Sequence, residues 1–142
     1  MAVRMELSRI LIRELTDMQV IELREVLEGH AADAHARSFP IVIGLPEAQA
    51  IERRLKGISI KRPQTHDLLS SVIKQLGGRL ASITISDLAE GTFFATLDIT
   101  TPAGETLRVD SRPSDAIALG IAESVPIYVE ERVLEGALRD DA

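Results

Sequence analysis

Apolar and polar residues alternate along several short segments of the chain, and this alternation predicts β-strands. A period of two residues is typical of a strand that buries one face. Residues 18–27 are rich in β-branched side chains, which favours a strand over a short helix, and residues 38–44 are uniformly apolar, as in a fully buried strand. The remaining predicted strands are 5–13, 79–86, 92–100, 105–110 and 126–129.

Two segments predict helices between the strands. The first begins at Pro46 and ends at Gly57, and its inner stripe is formed by Ala48, Ile51 and Leu55. The second covers residues 66–76 after Thr65 as N-cap and ends before two glycines. Its predicted core positions are Leu68, Leu69, Val72, Ile73 and Leu76.

The C-terminal part of the chain predicts a helix that packs closely on a sheet. Ser111 or Arg112 occupies the N-cap position and Pro113 suits the first helical position, while small residues keep the following helix thin. A final helical segment covers residues 130–138. We therefore expect one α+β domain over residues 1–142, with α/β-like elements: a mixed, mostly antiparallel sheet of seven or eight strands packed with about three main helices.

The composition is that of an ordinary soluble globular protein. The 142 residues are 45% apolar and 27% charged, and no cysteine is present for a disulfide framework or a thiolate zinc site. We find no signal peptide and no apolar run of membrane-spanning length, so the expected location is the cytoplasm without membrane association. A net charge of −6 and an aromatic content of 3% argue against nucleic-acid binding driven by overall charge or base stacking.

Charged residues collect where a strand ends and the C-terminal helix begins. Asp110, Arg112 and Asp115 surround this entry, and Asp115 lies in the first turn, where the helix dipole favours a carboxylate. Such a point is a common ligand site in open α/β sheets. A structural ion-pair network is the alternative, since such networks also gather charges.

Two motifs resemble the bifunctional nuclease domain family. One is the run Arg112-Pro113-Ser114-Asp115-Ala116-Ile117-Ala118-Leu119 followed by Pro126-Ile127-Tyr128-Val129, and the other is Arg62-Pro63 followed by Thr65-His66-Asp67-Leu68. Ile43-Gly44 before Glu47-Ala48 also agrees with the family, although Val42 stands where an aromatic residue is common. The resemblance covers residues 5–134 approximately and implies the bifunctional nuclease fold.

The resemblance implies hydrolysis of phosphodiester bonds in DNA and RNA, assisted by a divalent cation, Mg²⁺ or Mn²⁺. Asp67, Asp110 and Asp115 would supply oxygen ligands. Arg62 and Arg112 would hold the scissile phosphate, and His66, oriented by a nearby aspartate, would transfer a proton. This set requires both helix N-termini to face one pocket.

A basic segment supplies candidate substrate contacts. Arg53, Arg54, Lys56 and Lys61 lie close together with no acidic residue among them, and with Ser114 they are the predicted substrate-binding residues. The alternative is that the first three complement the C-terminus of a helix. Likewise, Asp67 could be a favourable first-turn charge and His66 a surface residue.

Other chemistry has weaker support in the sequence. His30, Asp33 and His35 match no close metal-ligand spacing, and a solvated loop is favoured for residues 28–37. Ser111 and Ser114 have no identifiable histidine partner, so a serine nucleophile is disfavoured. The competing function is a non-catalytic module that binds an anion, a nucleotide or a protein. We also expect a homo-oligomer, specifically a dimer. A third possible function is a structural homo-oligomer, with a contact formed in part by Phe39, Phe93, Phe94 and Tyr128.

Overall fold

A computed structural model describes residues 1–13, 15–27 and 35–140, without the side chain of Asp140. His30 and Asp33 lie outside the described residues, whereas His35 is exposed. Seven strands are described. They are β1 (Ala2–Leu11), β2 (Gln19–Glu25), β3 (Ser38–Ile43), β4 (Arg79–Ala89), β5 (Thr92–Thr100), β6 (Thr106–Ser111) and β7 (Ile127–Glu130).

The strands form one mixed sheet in the order β3-β2-β1-β7-β4-β5-β6. Every neighbouring pair is antiparallel except β4 and β7, which are parallel. The two meanders β1-β2-β3 and β4-β5-β6 are therefore joined through β7, which comes late in the chain. This arrangement confirms the predicted mixed, mostly antiparallel sheet.

The sheet is strongly curved, and its curvature encloses the core. The rings of Phe39 on β3 and Phe93 on β5 have centroids 5.5 Å apart, although four strands separate β3 from β5 in the sheet order. Ile83 and Ile85 of β4 are fully buried, whereas Ser82 and Thr84, which point to the other face, donate hydroxyl hydrogen bonds to Asp98. The apolar core thus lies on one face.

Four helices accompany the sheet within the described residues: α1 (Leu45–Lys56), α2 (Thr65–Gln75), α3 (Pro113–Ala122) and α4 (Glu131–Asp140). α3 is the central one, and its buried small residues allow close approach to β4. A Cβ atom added at Gly120 would lie 3.4 Å from the Ile83 side chain. α1 packs against α3, while α4 packs near β3, β4 and β7. None of the helices in the described ranges is long and apolar enough to cross a membrane.

The structure corrects the predicted role of α2. None of the residues of α2 is buried. Four of the five predicted core positions are exposed, namely Leu68, Leu69, Val72 and Leu76, and the fifth, Ile73, is half-buried. Their helical spacing forms an apolar stripe, but α3 already covers this part of the sheet, so the stripe faces solvent.

Several smaller predictions are also resolved. Ala48 and Ile51 are buried in α1 as expected, but Leu55 is exposed because the last turn of the helix extends beyond the core. Gln64, not Thr65, is the N-cap of α2, and Arg112 is the N-cap of α3, with Pro113 opening the helix as predicted. The final helical segment predicted over residues 130–138 is the helix α4.

Candidate active site

The N-terminus of α3 is placed by the strand before it. β6 ends at Ser111, and Arg112 has extended backbone angles, so the chain turns directly from the sheet into the helix at Pro113. Ser114 and the following apolar residues are buried, which leaves Asp115 as the polar residue of the first turn on the solvent side. The helix dipole favours its ionised carboxylate there.

The N-terminus of α2 is held against α1 by one hydrogen bond and one ion pair. The backbone N–H of Gln64 donates to Oδ2 of Asp67 (3.0 Å), and the Gln64 side-chain oxygen accepts a hydrogen bond from Nε of Arg53 (3.1 Å). Arg54 is mostly buried, lies 3.2 Å from Oδ1 of Asp67 and donates to the carbonyl of Ala50. These contacts orient α2 so that His66 points towards α3.

His66, Asp115 and Arg112 meet between the two helix N-termini. Nε2 of His66 lies 2.9 Å from Oδ1 of Asp115, across 49 residues of sequence. Arg112 donates from Nε to Oδ2 of the same carboxylate (2.9 Å) and from a terminal nitrogen to Oδ1 (3.3 Å). A further nitrogen of Arg112 lies 3.7 Å from Glu47 of α1. The carboxylate therefore contacts a guanidinium and an imidazole together.

These side chains line an open cleft of about 300 Å³. The His66 side chain is only 16% exposed, whereas that of Arg112 is 65% exposed and can reach a ligand. The lining combines three helices and includes Pro46, Glu47, Ala50, Arg53, Gln64, Thr65, His66, Arg112 and Asp115. Basic and acidic side chains thus line the same cleft.

The charge state of Asp115 follows from its contacts. Burial by itself raises the pKa of this carboxyl, but the hydrogen bonds from Arg112 and His66 together outweigh burial and hold the pKa below its ordinary value. The same pairing raises the pKa of Arg112. Asp115 is consequently ionised at neutral pH and can orient the imidazole through an N–H···O bond.

The predicted site residues divide into two groups. His66, Asp115, Arg112 and Arg53 line the cleft. The other predicted residues lie outside the cleft lining. Asp67 forms an ion pair with Arg54, and Lys56 lies 3.5 Å from Glu52. Lys61 and Arg62 are exposed. Ser114 is buried and borders a neighbouring cavity, and Asp110 is exposed on β6.

The three predicted metal ligands do not come together as a set. Asp115 already uses both oxygens on Arg112 and His66, and Asp67 uses both on Gln64 and Arg54. Across residues 1–13, 15–27 and 35–140, no group of three or more histidine, aspartate or glutamate residues is arranged to hold a metal ion. The requirement for Mg²⁺ or Mn²⁺ stays a prediction.

Five of the nine cleft residues are not among the predicted functional residues, and two of these five, Glu47 and Gln64, contact an arginine of the site. Glu47 lies near Arg112, and Gln64 holds Arg53 beside the cleft. In the sequence, Glu47 is only part of the family pattern. A glutamate in a first helical turn is common because the helix dipole favours it, so its position alone does not indicate a site. Only the packing of α1 against α3 shows that this carboxylate faces the site.

Comparison with known proteins identifies the family of this chain. The family profile described as "Bifunctional nuclease domain" matches residues 26–140, which include both helix N-termini and every residue of the cleft. The chain belongs to the bifunctional nuclease domain family. The resemblance of the two motifs is thereby confirmed at the level of the family.

Relatives of this bifunctional nuclease domain chain fall into two groups. Two uncharacterized proteins from strains of Mycobacterium tuberculosis are 45% identical over 101 residues, covering 71% of this chain and 59% of theirs. Proteins named bifunctional nuclease from Oryza sativa and Oryza minuta are 24% identical over 122 residues, covering 81% of this chain and 37% of theirs. The chain thus matches only part of the length of each relative.

The contacts of Asp115 predict how stability depends on pH. Because its folded-state pKa is lowered, this carboxylate stabilises the fold above its unfolded pKa, and the contribution is lost as the pH falls through the folded pKa. The difference in free energy of unfolding between the wild type and Asp115→Asn should shrink as the pH falls below about 4. Urea unfolding at a series of pH values measures it. A difference that stayed constant to the acid end would contradict the ionised pairing.

Proposed function

We propose that this chain hydrolyses phosphodiester bonds in DNA and RNA, with His66, Asp115 and Arg112 acting at the phosphate. The observation that supports the proposal is the meeting of these three side chains in one cleft between two helix N-termini. Membership of the bifunctional nuclease domain family adds support, because distant relatives carry the name bifunctional nuclease.

His66 is the proposed proton-transfer group. An N–H at Nε2 that donates to ionised Asp115 leaves Nδ1 able to accept a proton from an attacking water. The oxygen of that water forms the new bond to phosphorus, the bond to the leaving oxygen breaks, and the leaving oxygen takes up a proton from the imidazolium or from solvent. Asp115 stabilises the imidazolium during this step and keeps the ring in position.

Arg112 and Arg53 are the proposed phosphate contacts. The exposed guanidinium of Arg112 has a planar arrangement of donors that suits two phosphate oxygens. Arg53 lines the same cleft beside the first turn of α2. The N-terminal turns of α2 and α3 both border the cleft, where the helix dipoles favour an anion. This local concentration of donors supports nucleic-acid binding although the net charge of the chain is −6.

A divalent cation and a dimeric state complete the proposal. The described carboxylates do not fit a complete protein cage for a cation, so no step above depends on one. Mg²⁺ is commonly bound through one or two carboxylates together with substrate phosphates. Metal dependence is therefore tested directly in the cleavage assay. We further propose action in the cytoplasm, as a homo-oligomer.

Cleavage assays on purified protein test the proposed function. Fluorescent single-stranded DNA and RNA should be cut by the wild type, and parallel reactions with Mg²⁺, Mn²⁺ or EDTA determine whether the cation is required. An equilibrium binding measurement on uncleavable phosphorothioate strands should be run beside them. Binding without cleavage under all three conditions would reject the nuclease and favour the anion- or nucleotide-binding module.

A further inference from the structure

A second cavity, of about 540 Å³, lies next to the cleft. Glu47 and Arg112 line both spaces, so the two are adjacent. The volume of the second cavity is within the range usual for small-molecule sites. Because the exposed guanidinium of Arg112 is the proposed phosphate contact, a nucleoside joined to that phosphate has this cavity within reach.

The second cavity follows the open edge of β3. It contacts four successive residues of this strand, from Pro40 to Ile43. Ile41 and Ile43 are buried in the core, whereas Pro40 and Val42 are exposed on the other face. Since successive side chains point to opposite faces, a space that contacts all four residues lies along an edge of the strand. β2 occupies one edge of β3, so the cavity lies along the other.

Backbone groups of β3 point towards this open edge. The N–H of Glu25 donates to the carbonyl of Arg37 (2.8 Å), and the pairing with β2 continues without a shift to the end of β3. In an antiparallel pair every second residue bonds to its neighbour, and here these are the odd-numbered residues of β3. The N–H and C=O groups of Val42 and the C=O of Pro40 therefore point away from β2. They offer a donor and two acceptors to a ligand.

The walls opposite β3 include an aromatic side chain and the start of α3. Phe93 of β5 is half-buried, and Pro113 and Ser114 belong to the first turn of α3. Among the described residues that line the cavity, only Glu47 and Arg112 are charged, and both also line the cleft. A second phosphate would find no further cation here, whereas an aromatic ring and open backbone groups suit an uncharged nucleobase.

We propose that this cavity is a base subsite, which binds the nucleobase next to the phosphate at Arg112. The base stacks on the ring of Phe93, and its hydrogen-bonding edge pairs with the N–H and C=O groups of Val42. Each nucleobase carries a neighbouring donor and acceptor, so recognition by one backbone unit accepts many sequences. The inference rests on the proposed function, because it takes the phosphate to be held at Arg112.

The base subsite requires an unpaired base. In a duplex the hydrogen-bonding edge of the base is already paired and its faces are stacked on neighbouring bases. Such a base must leave the helix before it can enter the cavity, which costs unpairing and unstacking energy. A fully paired duplex is therefore a control ligand that carries phosphates and bases but does not fill the subsite.

Binding to strands with and without bases tests the subsite. The probes are a short phosphorothioate strand of thymidines and an abasic phosphorothioate strand of the same length, measured by fluorescence anisotropy. The wild type should bind the thymidine strand about tenfold more tightly, since only this strand can stack on Phe93. Phe93→Leu removes the ring but keeps an apolar side chain, so it should lose most of this preference and keep its affinity for the abasic strand.

A gain of affinity provides a second test that misfolding cannot imitate. Val42 is 55% exposed and lines the cavity, so Val42→Trp adds a ring without disturbing the core. It should bind the thymidine strand about three- to tenfold more tightly than the wild type, with unchanged affinity for the abasic strand and for the duplex. Phe94→Leu is the matched control for Phe93→Leu, because Phe94 is exposed and outside the cavity lining. It should bind as the wild type does.

The outcomes separate the subsite from the proposed nuclease. Equal binding of both strands by the wild type would overturn the subsite and leave an extended peptide as the alternative occupant of the β3 edge. Equal loss for both strands in Phe93→Leu, or no selective gain in Val42→Trp, would also overturn it. In each case cleavage by the same wild-type preparation would still support the nuclease. A preference for bases without cleavage would support the subsite and reject the nuclease.

Discussion

Replacing His66 with alanine is expected to lower kcat for phosphodiester cleavage by about a hundredfold to ten-thousandfold, the usual contribution of a positioned general acid or base. His66 is the histidine that lines the cleft, and its ring is held 2.9 Å from the ionised carboxylate of Asp115. Because the phosphate contacts are proposed to come from Arg112 and Arg53, KM should change much less than kcat.

His35→Ala is the matched control, since His35 is exposed and does not line the cleft. It should cleave at the wild-type rate. Asp115→Asn should retain part of the contact to the imidazole ring, so kcat should fall less in this variant than in His66→Ala. Equal cleavage by the wild type and His66→Ala, in preparations purified in the same way, would assign the activity to a contaminant or to groups outside this cleft.

Replacing Phe39 with alanine is expected to lower the free energy of unfolding by about 3–5 kcal/mol. Phe39 is 1% exposed, and its ring contacts Phe93 on a strand that lies far away in the sheet order. The substitution would leave a cavity where the curved sheet closes over its core. Urea unfolding followed by circular dichroism gives the loss from the midpoint and slope.

Phe94→Ala is the matched control, because it removes the same side-chain volume as Phe39→Ala. Phe94 is 41% exposed, so its loss should lower stability by at most about 1 kcal/mol. A double-mutant cycle on Phe39 and Phe93 should give a coupling of about 0.5–1.5 kcal/mol for the aromatic pair. Equal losses for Phe39→Ala and Phe94→Ala would contradict the closure of the sheet at this contact.

The site and the core depend on the same element. α3 buries nearly all of its residues against the sheet and α1, which leaves its N-terminal turn fixed at the surface. Asp115 and Arg112 therefore project from a rigid position, whereas His66 comes from α2, which has no buried residue. The hydrogen bonds of Gln64 to α1 and of His66 to Asp115 hold α2 at its N-terminal end.

Local sequence signals determined the elements of this fold and the candidate chemical groups. Alternation specified most of the strands because a strand places successive side chains on opposite faces. The uniformly apolar run 38–44 also predicted a strand, but β3 lies at the edge of the sheet with Val42 exposed and is not fully buried. Pro113 and Gly57 marked helix ends because each suits a backbone conformation that other residues adopt less readily. The two motifs also identified His66, Asp115 and Arg112, and they pointed to the family that the comparison confirmed.

Only the tertiary structure decided which of these groups meet. Contacts across many residues depend on strand order and helix packing, which no local pattern encodes. The order placed β7 between β1 and β4, and the packing of α1 against α3 brought Glu47 to the cleft. The same spacing that buries Ile51 in α1 leaves Leu76 exposed after α2. An apolar stripe favours burial, but it does not specify which element covers it or whether any element does.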